Sequence, residues 1–174
     1  MHTQRRIISI ATYGLLLASM SATRFVAAKV HARPSARSAP AACTLLTTKD
    51  ATTALEVPSQ PGKELVNSTG CVWWSDPAAS DTSRRVTLVT HSLAAFQAAM
   101  HPAITTIKIE PVSGIGDEAF YQIYPKGQNP FIWVRKGNTA FDVRIITRLD
   151  PKPFTMEQEK SKDAVLAKAA VAKL

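Results

Sequence analysis

Two β-rich runs flank Gly137-Asn138: Phe131 to Lys136 before it, and Thr139 to about Ile145 after it. Gly-Asn is a two-residue hairpin signature. A turn there pairs Val134 with Phe141 and Ile132 with Val143, so Ile145 extends one apolar face. The other face pairs Trp133 with Asp142, Arg135 with Ala140 and Phe131 with Arg144, and Trp133 is expected to stack near Arg144. A slip of one residue would mix the two sets, because side chains alternate with a period of two.

Similar patterning marks the other elements. Cys71 to Ser75 reads as a strand. Arg84 to His91 alternates Val86, Leu88 and Thr90 against Arg85, Thr87, Val89 and His91. Glu118 to Tyr124 is the next strand, and a short one is allowed at Glu64–Val66. Helices are expected from Thr47 through Leu55, from Ser92 to about Met100, and from Thr155 to about Lys173. Thr47 with Asp50, and Thr155 with Gln158, form capping boxes, and Ser92 is a cap residue. Val165, Leu166, Ala169, Ala170 and Leu174 supply the last helix with its apolar stripe. The pattern predicts an α+β domain: an antiparallel sheet of about five strands with three helices packed on it.

The chain has 174 residues with 45% hydrophobic and 20% charged positions, an ordinary globular composition for one domain. No repeat of fixed period is present, which excludes solenoids and propellers. Arg5 and Arg6 precede an uncharged apolar run from Ile7 to Met20, Val26-Ala27-Ala28 resembles a cleavage site, and Val30-His31-Ala32 is a second candidate. Residues 1–28 therefore read as a signal peptide. The run spans roughly 21 Å as a helix, short of a hydrocarbon core of roughly 30 Å. No stable membrane insertion is expected after cleavage. Residues 29–42, rich in Ala, Pro, Ser and Arg, read as a disordered linker, which leaves 43–174 as the folded domain. No cysteine directly follows the apolar run, so lipid attachment is not expected.

The formal net charge is +8. Loss of Arg5, Arg6 and Arg24 with the leader lowers it to +5, and setting aside Lys29, Arg33 and Arg37 in the linker leaves +2. The basic excess is mostly leader and linker, so nucleic acid is not an expected partner. Cys43 and Cys71 are the two cysteines. In an oxidising compartment an even count suggests pairing, so a Cys43–Cys71 disulfide is expected. Two lone cysteines do not make a zinc site or a redox motif, and no metal or cofactor is expected.

Cys43-Thr44-Leu45-Leu46-Thr47, Gly70-Cys71-Val72-Trp73, Val112-Ser113-Gly114-Ile115-Gly116-Asp117-Glu118-Ala119-Phe120 and Val134-Arg135-Lys136-Gly137, followed by an Ala-rich last helix, occur in order. In this residues 43–174 resemble small secreted bacterial proteins of unknown function, including actinobacterial lipoproteins with a PsbP-like or Mog-like fold. The resemblance implies an α/β/α sandwich and an extracytoplasmic location. It implies no activity.

Candidate ligand-binding residues are Trp73, Trp133, Asp117 and Glu118. Trp73 and Trp74 fall on opposite faces of their strand. Gly114 to Glu118 reads as a turn that needs glycine torsions; its carboxylates would oppose an anion, and no G-x-G-x-x-G pattern follows. His91 and His101 lack metal-ligand spacing, no G-x-S-x-G elbow occurs, and Asn67-Ser68-Thr69 matches a glycosylation acceptor. The expected function is that of an exported, periplasmic or secreted, non-enzymatic binding or accessory module for an envelope protein or small ligand. Its binding surface would be a sheet face or the loop around 111–118. The alternatives are a hydrolase using His91 with Asp117 or Glu118, and a structural envelope protein.

Overall fold

The structure of this chain, a computed structural model, describes residues 41–65, 69–78, 83–125, 128–147 and 153–174. The expected signal peptide, linker residues 29–40, and Asn67 and Ser68 of the acceptor motif lie outside the described residues. Ala42 is already buried, one residue ahead of the expected domain start.

Among the described residues seven strands form one sheet: β1 (Lys63–Glu64), β2 (Gly70–Trp74), β3 (Arg85–His91), β4 (Lys108–Val112), β5 (Glu118–Ile123), β6 (Phe131–Lys136) and β7 (Thr139–Ile146). Their order is β1-β2-β3-β7-β6-β5-β4, with every neighbouring pair antiparallel. Four helices accompany them among the described residues: α1 (Ala42–Leu45), α2 (Thr48–Leu55), α3 (Leu93–Met100) and α4 (Met156–Val171). The expectation of about five strands and three helices is therefore corrected to seven and four. The strands missed or misplaced are the two edges. β4 carries Pro111 in a largely exposed edge strand, where a missing N–H is tolerated but the strand pattern is blurred. β1 is two exposed residues long, with Glu64 its last residue and not its first. α1 is a single turn.

Two meanders build the sheet, β1-β2-β3 and β4-β5-β6-β7. The segment carrying α3 joins them, and β7 returns to pair along β3. The β6–β7 hairpin turns at Gly137-Asn138 with Ile132 opposite Val143, Val134 opposite Phe141 and Trp133 opposite Asp142, the register read from the alternation. Its apolar face completes the main core with Trp73, Val86, Leu88 and Tyr121, beneath α1, α2 and α4. Phe141 and Ile145 are fully buried there, each stabilising the fold by about 2–3 kcal/mol. A smaller core lies on the other face, where Phe96 of α3 packs on Phe120, Trp133 and Ala140.

Both capping boxes form. Thr47 and Asp50 exchange bonds at the start of α2, as Thr155 and Gln158 do at the start of α4. Ser92 caps α3 through the Ala95 N–H. The inner face of α4 differs from expectation. Val165 and Leu174 are exposed, and Glu159, Asp163, Leu166, Ala167 and Ala170 point inward. The reason is backbone satisfaction. β7 outruns its pairing with β6, which reaches only to Val143, and the Ile145 N–H donates to Asp163 Oδ1 at 2.8 Å. Glu159 accepts from Asn129 Nδ2 at 2.6 Å and from Thr147 Oγ1 at 3.0 Å. Full burial raises the Asp163 pKa well above its ordinary value, Glu159 and Asp142 raise it further, and the Ile145 N–H and Arg144 oppose the shift.

Cys43 and Cys71 are joined by a disulfide that ties α1 to β2. The closed loop implies about 3.5 kcal/mol of stabilisation through chain entropy, the model-dependent figure for this length. Removing the bond by Cys43→Ala with Cys71→Ala is expected to lower unfolding free energy by about that amount in denaturant titration. An unchanged midpoint would contradict a structural role for the bond.

Asp163 supplies a second test. Its folded pKa is raised, so its contribution is full below about 3.8, the unfolded value, and declines as pH rises toward the folded value. Asp163→Asn keeps an acceptor for Ile145 and removes the titration. The variant should lose less stability than the parent between pH 4 and 7, measured by thermal unfolding. Parallel pH profiles would show that the carboxyl is not held protonated.

Candidate functional site

The second sheet face is divided. α3 covers the part around Phe120 and Trp133. Beyond it, the start of β3, the end of β7, the start of β6 and the two residues Gln128 and Asn129 border a half-open cavity of about 490 Å³. Its described lining is Arg85, Gln128, Asn129, Phe131, Arg144 and Ile146.

Strand register brings these residues together. Arg85 lies opposite Ile146, and Arg144 opposite Thr87, so the two arginines are diagonal neighbours on one face, with Cα atoms about 7–8 Å apart. The Arg144 guanidinium carbon lies 3.8 Å from the Phe131 ring centre, and Nε donates to Thr87 Oγ1 at 3.3 Å. Tyr124 packs on Phe131 with ring centres 5.3 Å apart. Arg144 makes no other hydrogen bond and no ion pair among the described residues. Arg85 lies over Trp74, 4.6 Å from its ring centre. Behind the cavity, Glu159 fixes the Asn129 amide. No carboxylate belongs to the described lining. The site can therefore offer cationic, flat and amide surfaces to one small molecule.

A second polar cluster sits at the other end of this face. His91 Nε2 lies 2.6 Å from Asp142 Oδ2, within hydrogen-bond distance. The His91 ring stacks on Trp133 at 4.4 Å between centres. Trp133 Nε1 and Asp142 Oδ1, on directly opposed residues, are buried without a hydrogen-bond partner among the described residues. Among those residues no hydroxyl or thiol bonds to His91. No group of three potential metal-ligating side chains occurs among them either.

The residues singled out from the sequence do not form one site; Asp117 and Glu118 meet at Arg135, and the two tryptophans lie elsewhere. Trp73 is 1% exposed on the helix-covered face. Trp133 is on the opposite face, under His91 and against α3; it is Phe131, not Trp133, that stacks with Arg144. Asp117 accepts from the Gly137 N–H at 2.7 Å and from Lys136 Nζ at 2.9 Å, and these bonds hold its carboxyl below the usual range. Glu118 accepts from Arg135 Nε at 3.2 Å. Both carboxylates thus fasten the 113–117 turn to the hairpin. The proposed pairing of His91 with Asp117 or Glu118 is overturned. β3 and β5 are three strand spacings apart, about 14 Å, beyond a hydrogen bond or one bridging water. Asp142 takes the place that reading gave to Asp117.

Comparison with models of known families, with curated proteins and with solved structures finds no match. The cavity's own geometry therefore carries the functional reading. Phe131 and Arg144 were legible as an opposed pair in the hairpin. Arg85 was not, because its neighbour Arg144 belongs to a strand distant in sequence.

The glycines of the 113–117 turn separate two physical effects. Gly114 has φ +76° and nothing within 4 Å of an added Cβ. Gly116 has φ +63°, and an added Cβ would lie 2.5 Å from the Arg135 carbonyl oxygen. Gly114→Ala should cost about 1–2 kcal/mol from backbone strain alone. Gly116→Ala should cost more, about 2–4 kcal/mol, because steric overlap is added. Equal losses in denaturant midpoint would contradict the close approach.

Proposed function

We propose that this chain is an exported binding module that holds a small ligand in the cavity lined by Arg85, Phe131 and Arg144. The observation that carries the reading is the cavity itself. About 490 Å³ of half-open space is lined by two guanidiniums, two side-chain amides, an aromatic ring and Ile146. Its two arginines and Phe131 sit on paired strands, which limits the entropy lost on binding.

Two observations support the exported part of the reading. The Cys43–Cys71 disulfide suits an oxidising compartment. Arg5, Arg6 and the apolar run to Met20 have the layout of a secretory leader. Periplasm or extracellular medium is the proposed location. Among the described residues no helix is long and apolar enough to cross a membrane.

The test is a mixed fragment screen on the oxidised full chain, read by amide and side-chain chemical shifts. Saturable ligands, whatever their charge, should cluster their shifts on Phe131, Asn129 and Arg144. Binding confined to other surfaces, such as the 240 Å³ groove between α2 and α4 beside Lys49 and Val165, would refute the proposed site.

A further inference from the structure

We infer that the cavity recognises a small ligand through an oxyanionic group, a carboxylate or a phosphoryl, and that Arg144 is its primary contact. This rests on the proposed binding site and adds the ligand's chemistry. Three observations carry it.

First, Arg144 is oriented before any ligand arrives. Phe131 supports one face of the guanidinium at 3.8 Å, and Thr87 takes Nε at 3.3 Å. Among the described residues its terminal nitrogens have no hydrogen-bond partner, so the outer edge of the fork remains for two parallel bonds to an oxyanion. Second, Arg85 shares the cavity from a diagonal position, and no described carboxylate lines the space. Third, Glu159, the acid that fixes the Asn129 amide of the lining, is itself engaged by Asn129 and Thr147. Phe131 is half-buried with Arg144 over its ring and Tyr124 against it, so a flat group attached to the oxyanion would meet the edge of this aromatic pair.

Isothermal titration of the oxidised full chain tests this with four probes: benzoate, phenyl phosphate, inorganic phosphate and the neutral isostere benzamide. At least one oxyanionic probe should bind saturably, and tenfold or more tighter than benzamide. Its affinity should fall as salt rises. The tighter of benzoate and phenyl phosphate identifies the group. Arg144→Gln should weaken that probe at least tenfold with the thermal midpoint unchanged. If Arg144→Gln proves unstable, Arg85→Gln provides the same readout with an expected loss of at least threefold. Benzamide binding as tightly as the anions, or no anion binding at all, overturns the inference. If neutral fragments still map to the cavity in either case, the binding-module reading stands without it. Anion binding that neither arginine substitution weakens would mean an adventitious surface contact and also overturns the inference.

Discussion

The strict two-residue period of the β6–β7 hairpin is the constraint from which the rest of the molecule follows. One register sends Ile132, Val134, Phe141 and Val143 beneath the helices. The same register must send Phe131, Trp133, Asp142 and Arg144 to the opposite face. Burial of the first set therefore positions the second, and shifting the pairing by one residue would place Asp142 and Arg144 in the main core. That would bury charge in place of apolar surface, which costs far more than a turn contributes. The cavity is a consequence of core packing as much as of its own residues.

Several polar groups lock this arrangement from outside the hairpin. Asp117 accepts from Gly137 at the turn itself, while Glu118 holds Arg135 one strand away. At the far end, Asp163 of α4 takes the Ile145 N–H that β6 leaves without a ladder partner. Tyr121 donates to the Lys160 carbonyl at 2.5 Å, and Lys160 reaches Glu110 of β4 at 2.7 Å. The last helix thus touches β5 and the edge strand β4 together. Disulfide closure at β2 fixes the other side of the sheet, so the strands around the cavity are anchored at both flanks.

How much of this was legible in the sequence depended on whether a signal was local. The hairpin register, the two capping boxes, the Ser92 cap and the cysteine pairing each rest on residues of known type at short or forced spacing. β4 escaped because Pro111 and partial exposure remove the alternation that marks an interior strand. The inward face of α4 was misphased because Glu159 and Asp163 look like solvent residues. They are buried to satisfy backbone and side-chain groups of the β7 end, a need visible only once the unequal lengths of β6 and β7 are known. The cavity was least legible. It depends on β3 pairing with β7, which brings Thr87 to Arg144 and Arg85 to Ile146 across a long stretch of chain. Asp117 and Glu118 drew attention as adjacent carboxylates, yet their surroundings are the cations of the hairpin.

The most direct measurement of the central claim is the side-chain Nε–Hε resonance of Arg144 in the oxidised protein. A guanidinium held over the Phe131 ring and bonded to Thr87 should give an upfield-shifted, slowly exchanging signal. Phe131→Leu should return the shift to the ordinary arginine position. An unshifted, rapidly exchanging Arg144 signal in the parent protein would contradict the register and the site that follows from it.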